Sequence, residues 1–191
     1  MVYHHPVVDS LVGKLLVAGP SLVDPNFFRT VVFICAHGEQ GAFGLVINRP
    51  LMHVPADEQL AEWHAPFASP AVVFHGGPVE TRMAFALGRI RGHEPGDGWT
   101  AVTDSLGLVD LGRPDAGVVT DLEAFRVFAG YAGWSAGQIE GELEEHGWFV
   151  VDADPRDPFS ADPEGLWRKV LLRQGGQVAM FAYFPNDPSL N

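Results

Sequence analysis

The order of the predicted elements indicates an α+β fold in one domain that covers residues 1–191. Extended segments dominate up to about residue 115 and helical patterns join them afterwards, an order typical of α+β domains rather than of alternating parallel sheets. The 22 glycines and 15 prolines are spread along the chain, as expected for many short elements joined by tight turns. Hydrophobic residues make up 47% of the chain and charged residues 19%, which is a globular composition. Residues 1–10 are predicted to form a mobile terminus.

Strands are predicted where β-branched and aromatic residues are bounded by turn residues. The predicted strands are residues 11–18, 30–36, 43–48, 71–75, 83–90, 100–103, 108–111, 148–152 and 178–183. Asp24-Pro25-Asn26 is the turn between the first two strands, and Pro50 is predicted to end the third.

Helices are predicted where a capping residue precedes apolar residues at helical spacing. Residues 56–64 follow Pro55, which suits a first helical turn, and the capping box at 120–123 opens a helix that ends at Gly130. A second capping box at 135–138 opens a helix that ends at Gly147. The last predicted helix starts at residues 162–164, and four of its apolar residues share one face: Leu166, Trp167, Val170 and Leu171.

The charge balance excludes several classes of partner. Twenty-four acidic residues against 12 basic ones give a net charge of -12 at pH 7. Coating nucleic acid requires a broad basic surface, and anionic membranes attract basic proteins, so neither partner is expected. Basic residues gather only in two short stretches, too small for nucleic-acid binding. These residues are Arg82, Arg89, Arg91 and His93, then Arg168, Lys169 and Arg173.

The remaining chemistry-bearing residues predict neither a metal nor a cofactor. The single Cys35 ends an apolar run and is interpreted as a buried thiol rather than a nucleophile. No Cys/His set has zinc spacing, and the acidic residues at 152–157 lack the glycine of a calcium loop. No segment approaches the ~20 apolar residues of a membrane span, and no secretory signal is visible, so we expect a cytoplasmic location.

Gly133-Trp134-Ser135-Ala136-Gly137 matches G-x-S-x-G, the pattern of a hydrolase nucleophile on a strand-to-helix turn. In this chain the element predicted before the motif is a helix. The only histidine that follows the motif is His146, which lies on the same predicted helix as the motif. Ser135 is therefore interpreted as a helix N-cap, whose replacement by alanine costs about 0.5–2 kcal/mol. A Ser-dependent hydrolase is kept as an alternative function.

Six sequence motifs follow one another along the chain. They are Leu16-Val17-Ala18, residues 24–29 with Val31-Val32, residues 41–50, residues 76–79, residues 130–134, and residues 137–140 with Glu142. In this order they resemble the YqgE/AlgH family of bacterial proteins, over about residues 11–148 and more loosely to Tyr183. The resemblance implies a bulged mixed β-sheet curled into a pseudo-barrel with flanking helices, and it implies no established activity. Family members are labelled transcriptional regulators, but this acidic chain has no recognisable helix-turn-helix, so direct DNA binding is not expected.

Residues that match the family's motifs predict the candidate site. Arg49 offers a fork of donors for carboxylate or phosphate, Asn48 offers a donor and an acceptor, and the Gly76-Gly77 turn offers backbone N–H groups. The other candidates lie at strand ends or helix starts, where binding loops tend to sit. They are Asp24, Arg29, His37, Trp134, Gln138 and Glu140.

These observations predict a non-enzymatic binding or regulatory module. The expected partner is an unknown protein or a small anionic ligand, and a second copy of the chain is left open. A transcriptional regulator is the second alternative function beside the hydrolase.

Overall fold

The protein is described from a computed structural model over residues 10–92, 96–113 and 117–185. Residues 1–9, to which the prediction of a mobile terminus applies, lie outside the described residues. The strands are β1 (Lys14–Ala18), β2 (Val31–Gly38), β3 (Gly41–Val46), β4 (Pro50–Pro55), β5 (Val72–His75), β6 (Val79–Ile90), β7 (Trp99–Ala101), β8 (Leu106–Val109), β9 (Leu122–Ser135) and β10 (Trp148–Asp152). The helices are α1 (Ala56–Gln59), α2 (Gln138–Glu144), α3 (Leu166–Gln174) and α4 (Gly176–Met180), with 3₁₀ turns at Ala61–Trp63, Val118–Asp121, Asp157–Phe159 and Phe181–Tyr183.

The sheet is organised around its longest strand, β9. The main path runs β10-β1-β2-β3-β9-β6-β8-β7, and β4 joins through β5, which pairs with β9. The β5–β9 pair is parallel and the other pairs are antiparallel, so the sheet is mixed. The pairing register shifts within β2 and within β6, and irregularities of this kind bend strands and increase their twist. The sheet curls into a half-barrel with flanking helices, which confirms the α+β prediction and the curled, bulged sheet.

The predicted helix after residue 120 is wrong, because residues 122–135 form β9. Both faces of this strand are covered: Phe125 packs against Trp63 on one side, while Phe128 packs against Phe74 on the other. Burial on both faces removes the apolar–polar alternation of a half-exposed strand and leaves apolar residues that also fit helical spacing. The pattern alone therefore did not distinguish a central strand from a helix.

Two smaller predictions are also wrong. Residues 178–183, predicted as a strand, form the end of α4 and a 3₁₀ turn, where Phe181 stacks on Phe149 with ring centroids 5.2 Å apart. Short apolar runs are ambiguous between strand and helix, and tertiary packing decides between them. Pro50 begins β4 instead of ending the third strand, which stops at Val46.

The other helices form where the sequence places them, with shorter bounds. The segment at 56–64 divides into α1 and a 3₁₀ turn, and α2 follows the second capping motif. In α3 the four apolar residues predicted to share a face are all buried. The side chains of Leu166, Trp167 and Leu171 pack on one face of β1 and β2, and Ile139 of α2 packs on the other face.

Cys35 lies in the core beneath α3. Its residue is 7% exposed, and burial raises the pKa of its thiol. A thiol in this environment stays protonated and unreactive, so the structure confirms the prediction of a buried cysteine.

Candidate functional site

Arg49 is bound to the loop that joins β1 to β2. Its guanidinium donates hydrogen bonds to the carbonyl oxygens of Asn26 (2.9 Å), Pro25 (2.9 Å) and Phe28 (3.1 Å). Burial lowers the pKa of Arg49, and the negative charge of Asp24 opposes that shift. The Asp24 carboxylate itself accepts the backbone N–H of Asn26 at 2.8 Å. The fork of Arg49 is therefore occupied by carbonyl groups of the chain.

Asn48 and Arg29 secure the ends of the same loop. The Asn48 side chain accepts the Val31 N–H at 2.9 Å and donates to the Arg29 carbonyl at 2.9 Å, so both its amide atoms are used. The guanidinium of Arg29 donates to the carbonyls of residues 184 and 185 and lies 4.5 Å from the ring centroid of Trp167. These two predicted site residues join the loop to the sheet and to the C-terminal segment.

The glycine turn lies beside Arg49, as the sequence-based site requires. The Arg49 carbonyl accepts the His75 N–H at 2.8 Å, and the next residue, Gly76, donates its N–H to Ala129 at 2.8 Å. Because the Gly76 N–H is bonded to β9, it is not available to an anion.

The two glycines are needed for close contact with β9. A Cβ on Gly76 would lie 2.3 Å from the Gly130 carbonyl oxygen, and one on Gly77 would lie 2.1 Å from the Tyr131 carbonyl carbon. Contacts this short are not tolerated, and the φ of +152° at Gly77 is also one that other residues rarely adopt. The turn thus has a structural role in seating β5 and β6 against the central strand.

A carboxylate organises the corner between β9 and α2. Glu142 accepts the indole N–H groups of Trp134 and Trp148 on one oxygen, each at 2.9 Å, and the Gln138 amide on the other at 3.0 Å. Phe27 packs on both tryptophans, with centroids 6.2 and 5.5 Å away, and so links this corner to the loop held by Arg49. Both indoles are buried, 5% and 4% exposed, so they belong to the core.

His37 and Glu140 tie β2 to α2. The Leu11 N–H donates to His37 Nδ1 at 3.2 Å, so the neutral ring carries its proton on Nε2 and donates to the Glu140 carboxylate at 3.0 Å. The second Glu140 oxygen is buried and has no hydrogen-bond partner among the described residues. The pair uses both ring nitrogens of His37 in holding the fold together.

Ser135 does sit on a strand-to-helix turn, because β9 ends there and α2 begins at Gln138. The predicted cap is nevertheless wrong: the N-cap is Gly137, and it is the Gln138 side chain that accepts the Ser135 backbone N–H at 3.0 Å. A nucleophile here would need a base. Both ring nitrogens of His37 are in use, and Nδ1 of His146 contacts a backbone carbonyl at 2.7 Å.

A second polar region, which we call the basic cleft, was not predicted. It has a volume of about 540 Å³ and is formed by β6, β9, α3 and the loops at 68–69 and 154–161. Its charged lining residues are Arg89, Arg156, Lys169, Arg173, Asp154 and Asp157, and its other lining residues are Ala68, Ser69, Ala124, Phe159, Ser160 and Ala161. The four cations outnumber the two anions, so the cleft is locally positive in a chain whose net charge is -12.

Two of the cleft's arginines are paired within it. Arg173 donates to both oxygens of Asp157, at 3.0 and 2.8 Å, and Arg156 donates to both oxygens of Asp154, at 2.9 and 2.6 Å. These bonds hold the pKa of the Asp154 carboxyl far below its usual range and raise the pKa of Arg173. Lys169 is exposed, and its ammonium makes no hydrogen bond or ion pair within the described part of the chain.

A buried arginine fixes the walls of the basic cleft. Arg126 is 1% exposed and donates to four carbonyl oxygens, those of Pro158 (3.0 Å), Ser160 (3.1 Å), Ala68 (3.3 Å) and Ser69 (2.7 Å). Burial lowers its pKa to about 10, so the group stays charged at neutral pH. Because its partners belong to two separate loops, Arg126 holds both loops in place beside β6 and α3.

The sequence contained a signal for the basic cleft. Arg89 belongs to one of the two short basic stretches, and Lys169 and Arg173 belong to the other. Each stretch alone is too small to predict a site, and only the fold shows that they line one cavity.

Comparison with known proteins places these observations in a family. Residues 15–179 match the family model described as AlgH-like. The chain belongs to the AlgH-like family. Relatives include the UPF0301 protein SCO2948 of Streptomyces coelicolor, 47% identical over 188 residues that cover 96% of this chain and 97% of the relative. A UPF0301 protein of Thermobifida fusca is 47% identical over 191 residues, covering 95% and 96%.

Solved structures of the AlgH-like family share the fold. The crystal structure of protein DIP2367 from Corynebacterium diphtheriae has a TM-score of 0.84 and 28% identity, covering 96% of this chain and 95% of that one. The solution structure of AlgH from Pseudomonas aeruginosa has a TM-score of 0.67 and 30% identity, covering 98% and 100%. The resemblance seen in the sequence is thus confirmed, and the relatives' names state a family and no activity.

We call the segments that contain the residues predicted as a site, 24–29, 37, 48–49, 76–77 and 134–142, the motif region. Among the described residues, none of the helices combines the length and the apolar character that a membrane span requires. Over the same residues, no three His, Cys, Asp or Glu side chains are grouped to hold a metal ion.

Proposed function

We propose that this AlgH-like protein is a non-enzymatic binding module that holds a small anionic molecule in the basic cleft. The proposal is supported by one observation: cationic side chains from two stretches that are distant in sequence line the same cavity of an acidic chain. They are Arg89 on β6 and Lys169 and Arg173 on α3. The proposal includes the cytoplasmic location expected from the sequence.

The physical properties of the cleft suit such a ligand. Its volume of about 540 Å³ lies within the ~300–1,000 Å³ typical of small-molecule sites. Walls of low dielectric focus the field of the clustered cations and raise the local concentration of anions. The walls are held by the hydrogen bonds of Arg126, so less conformational entropy is lost on binding.

The alternative functions have weaker support. The hydrolase has Ser135 on a suitable turn, but both ring nitrogens of His37 are bonded elsewhere, and among the described residues no hydrogen bond joins the Ser135 hydroxyl to a histidine. Direct DNA binding would need a basic surface of many phosphate contacts, whereas the basic cleft has a small excess of positive charge and the chain as a whole is acidic.

Native mass spectrometry of freshly purified, untagged protein tests the proposal. We expect extra mass that leaves on denaturation in the wild type and in Arg168→Glu, and none in Lys169→Glu. Arg168 is the matched control, since it is the neighbouring residue of α3 but contacts Tyr183 (5.1 Å to the ring centroid) instead of lining the cleft.

Two results would overturn the proposal. One is extra mass that persists in Lys169→Glu. The other is the bare protein mass in all three samples, together with amide NMR shifts around the basic cleft that do not respond to added inorganic phosphate.

A further inference from the structure

Some hydrogen-bond donors of the basic cleft are already bonded to carboxylates of the chain, and others are not. Arg173 and Arg156 are each held by two hydrogen bonds to their own carboxylate, Asp157 and Asp154 respectively. Arg173 also donates to the Asp152 carbonyl at 3.1 Å. An incoming anion gains little from groups that are already neutralised and fixed in these pairs.

Among the described residues of the cleft, the cations that lack a carboxylate of their own are Lys169 and Arg89, which lie on different elements. Lys169 on α3 has no ionic partner among the residues described. Arg89 on β6 shares the single carboxylate of Glu123 with Arg91, and its own Nε is 3.4 Å from that carboxylate, too poorly placed to make a hydrogen bond. Two arginines against one carboxylate leave one positive charge unbalanced at Arg89, and Lys169 adds the second.

The lining that accompanies these two cations includes an apolar patch beside its charged pairs. Phe159, Ala124 and Ala161 line the cavity, and the Arg89 guanidinium lies 5.8 Å from the ring centroid of Phe159. A ligand with two anionic ends that reaches both cations can therefore place a short apolar body against this patch.

We propose that the ligand is a small organic dianion, with one carboxylate or phosphate group at Lys169, the other at Arg89, and a short apolar body against Phe159. This inference rests on the proposed function of the basic cleft. A monoanion satisfies one cation only, whereas a dianion of matching length places its second group at a high effective concentration once the first is bound.

Isothermal titration calorimetry with two series of probes tests the inference at low ionic strength, where charge interactions are least screened. The first series contains straight-chain dicarboxylates and phosphonocarboxylates of increasing length, and the second contains the monocarboxylates of matching length. We expect one dianion length to bind at least about tenfold more tightly than its matched monoanion, as a second charged contact provides.

Matched variants locate the two ends of the ligand. Lys169→Gln and Arg89→Gln should each abolish the advantage of the dianion, and the double variant should lose no more of it than either single variant. Arg168→Gln on α3 and Arg82→Gln on β6 remove the same charge outside the cleft lining and should retain it. Lys169 is exposed and without partners among the described residues, so its variant should fold normally and keep the test decisive.

The outcomes separate this inference from the proposed function. If dianions and monoanions bind with equal affinity and both lose binding in Lys169→Gln, the ligand is not specifically a dianion. The proposed anion-binding function would then still hold. Absence of binding by both series and by inorganic phosphate would overturn both.

Discussion

The motif region and the basic cleft are both rich in polar side chains, but they differ in how completely those groups are bonded. In the motif region Arg49, Asn48 and Glu142 each use their donors or acceptors on partners within the chain. In the basic cleft Lys169 and part of Arg89 have no such partner among the described residues. A polar group that is already bonded is costly to divert to a ligand, whereas an unpaired cation gains from one.

The residues by which the family is recognised are therefore different from the residues that are available to bind a ligand. The motifs that identify the family hold the loop between β1 and β2, the glycine turn and the corner at α2 against the sheet. Replacing the hydrogen-bonded side chains of the motif region or its glycine turn should therefore lower stability, and replacing Arg89 or Lys169 of the basic cleft should lower ligand binding.

The largest loss of stability is expected for Gly77→Ala. The new Cβ would lie 2.1 Å from the backbone of Tyr131, at a φ that alanine rarely adopts, so β9 must move away. We expect a loss of about 3 kcal/mol or more in the free energy of unfolding, measured by urea denaturation. Gly141→Ala is the control, since a Cβ added there would meet no neighbouring atom within 4 Å and alanine favours the helix. Equal stability of the two variants would contradict the structural role of the turn.

Glu142→Ala should have the next largest effect. It leaves the buried indole N–H groups of Trp134 and Trp148 without their acceptor, which costs about 2–3 kcal/mol. Urea denaturation followed by tryptophan fluorescence measures the loss. Glu144→Ala, an exposed carboxylate on the same helix, should change stability by less than about 0.5 kcal/mol. A small effect of both variants would show that the corner is not organised by Glu142.

The stability of the motif region should depend on pH through His75, beside Arg49. Burial and the positive charge of Arg49 lower the pKa of His75, so the folded state disfavours the protonated ring. The unfolded chain takes up the proton near the ordinary pKa of about 6.5, so stability should fall as the pH drops below that value and level off below the folded pKa. Urea midpoints between pH 8 and pH 5 measure the slope. His75→Gln should reduce it and the exposed His53→Gln should not; an unchanged slope in His75→Gln would refute the assignment.

Ser135→Ala should have the smallest effect. The hydroxyl makes no hydrogen bond within the described ranges and the N-cap is Gly137, so stability should stay within about 0.5 kcal/mol of the wild type. Urea denaturation checks this value, and hydrolysis of a chromogenic ester checks activity. An esterase activity that the variant loses while its stability is retained would establish the hydrolase instead of a binding module.

The sequence predicted most of the fold because most elements follow local patterns. A single buried face is visible in the residues of α3, and apolar runs bounded by turn residues are visible for β1, β2 and β10. The failures at β9 and at residues 178–183 share one cause. Their apolar residues fit more than one periodicity, and the neighbouring elements that cover them are distant in sequence.

The candidate site was harder to predict than the fold. Arg49 and the Gly76-Gly77 turn do lie side by side, but the sequence carries no sign that the fork of Arg49 is filled by carbonyl groups. Whether a donor is free depends on the atoms around it, and those come from loops far away along the chain.

The amino-acid sequence by itself determined the α+β class, the family, the acidic net charge and the buried face of α3, because composition, motifs and periodicity are local properties. Only the tertiary structure decided that the motif region is internally bonded and that Arg89 and Lys169 line one cavity. These two residues are 80 positions apart, and their meeting depends on the register of β6 against β9 and on the seating of α3 against the sheet.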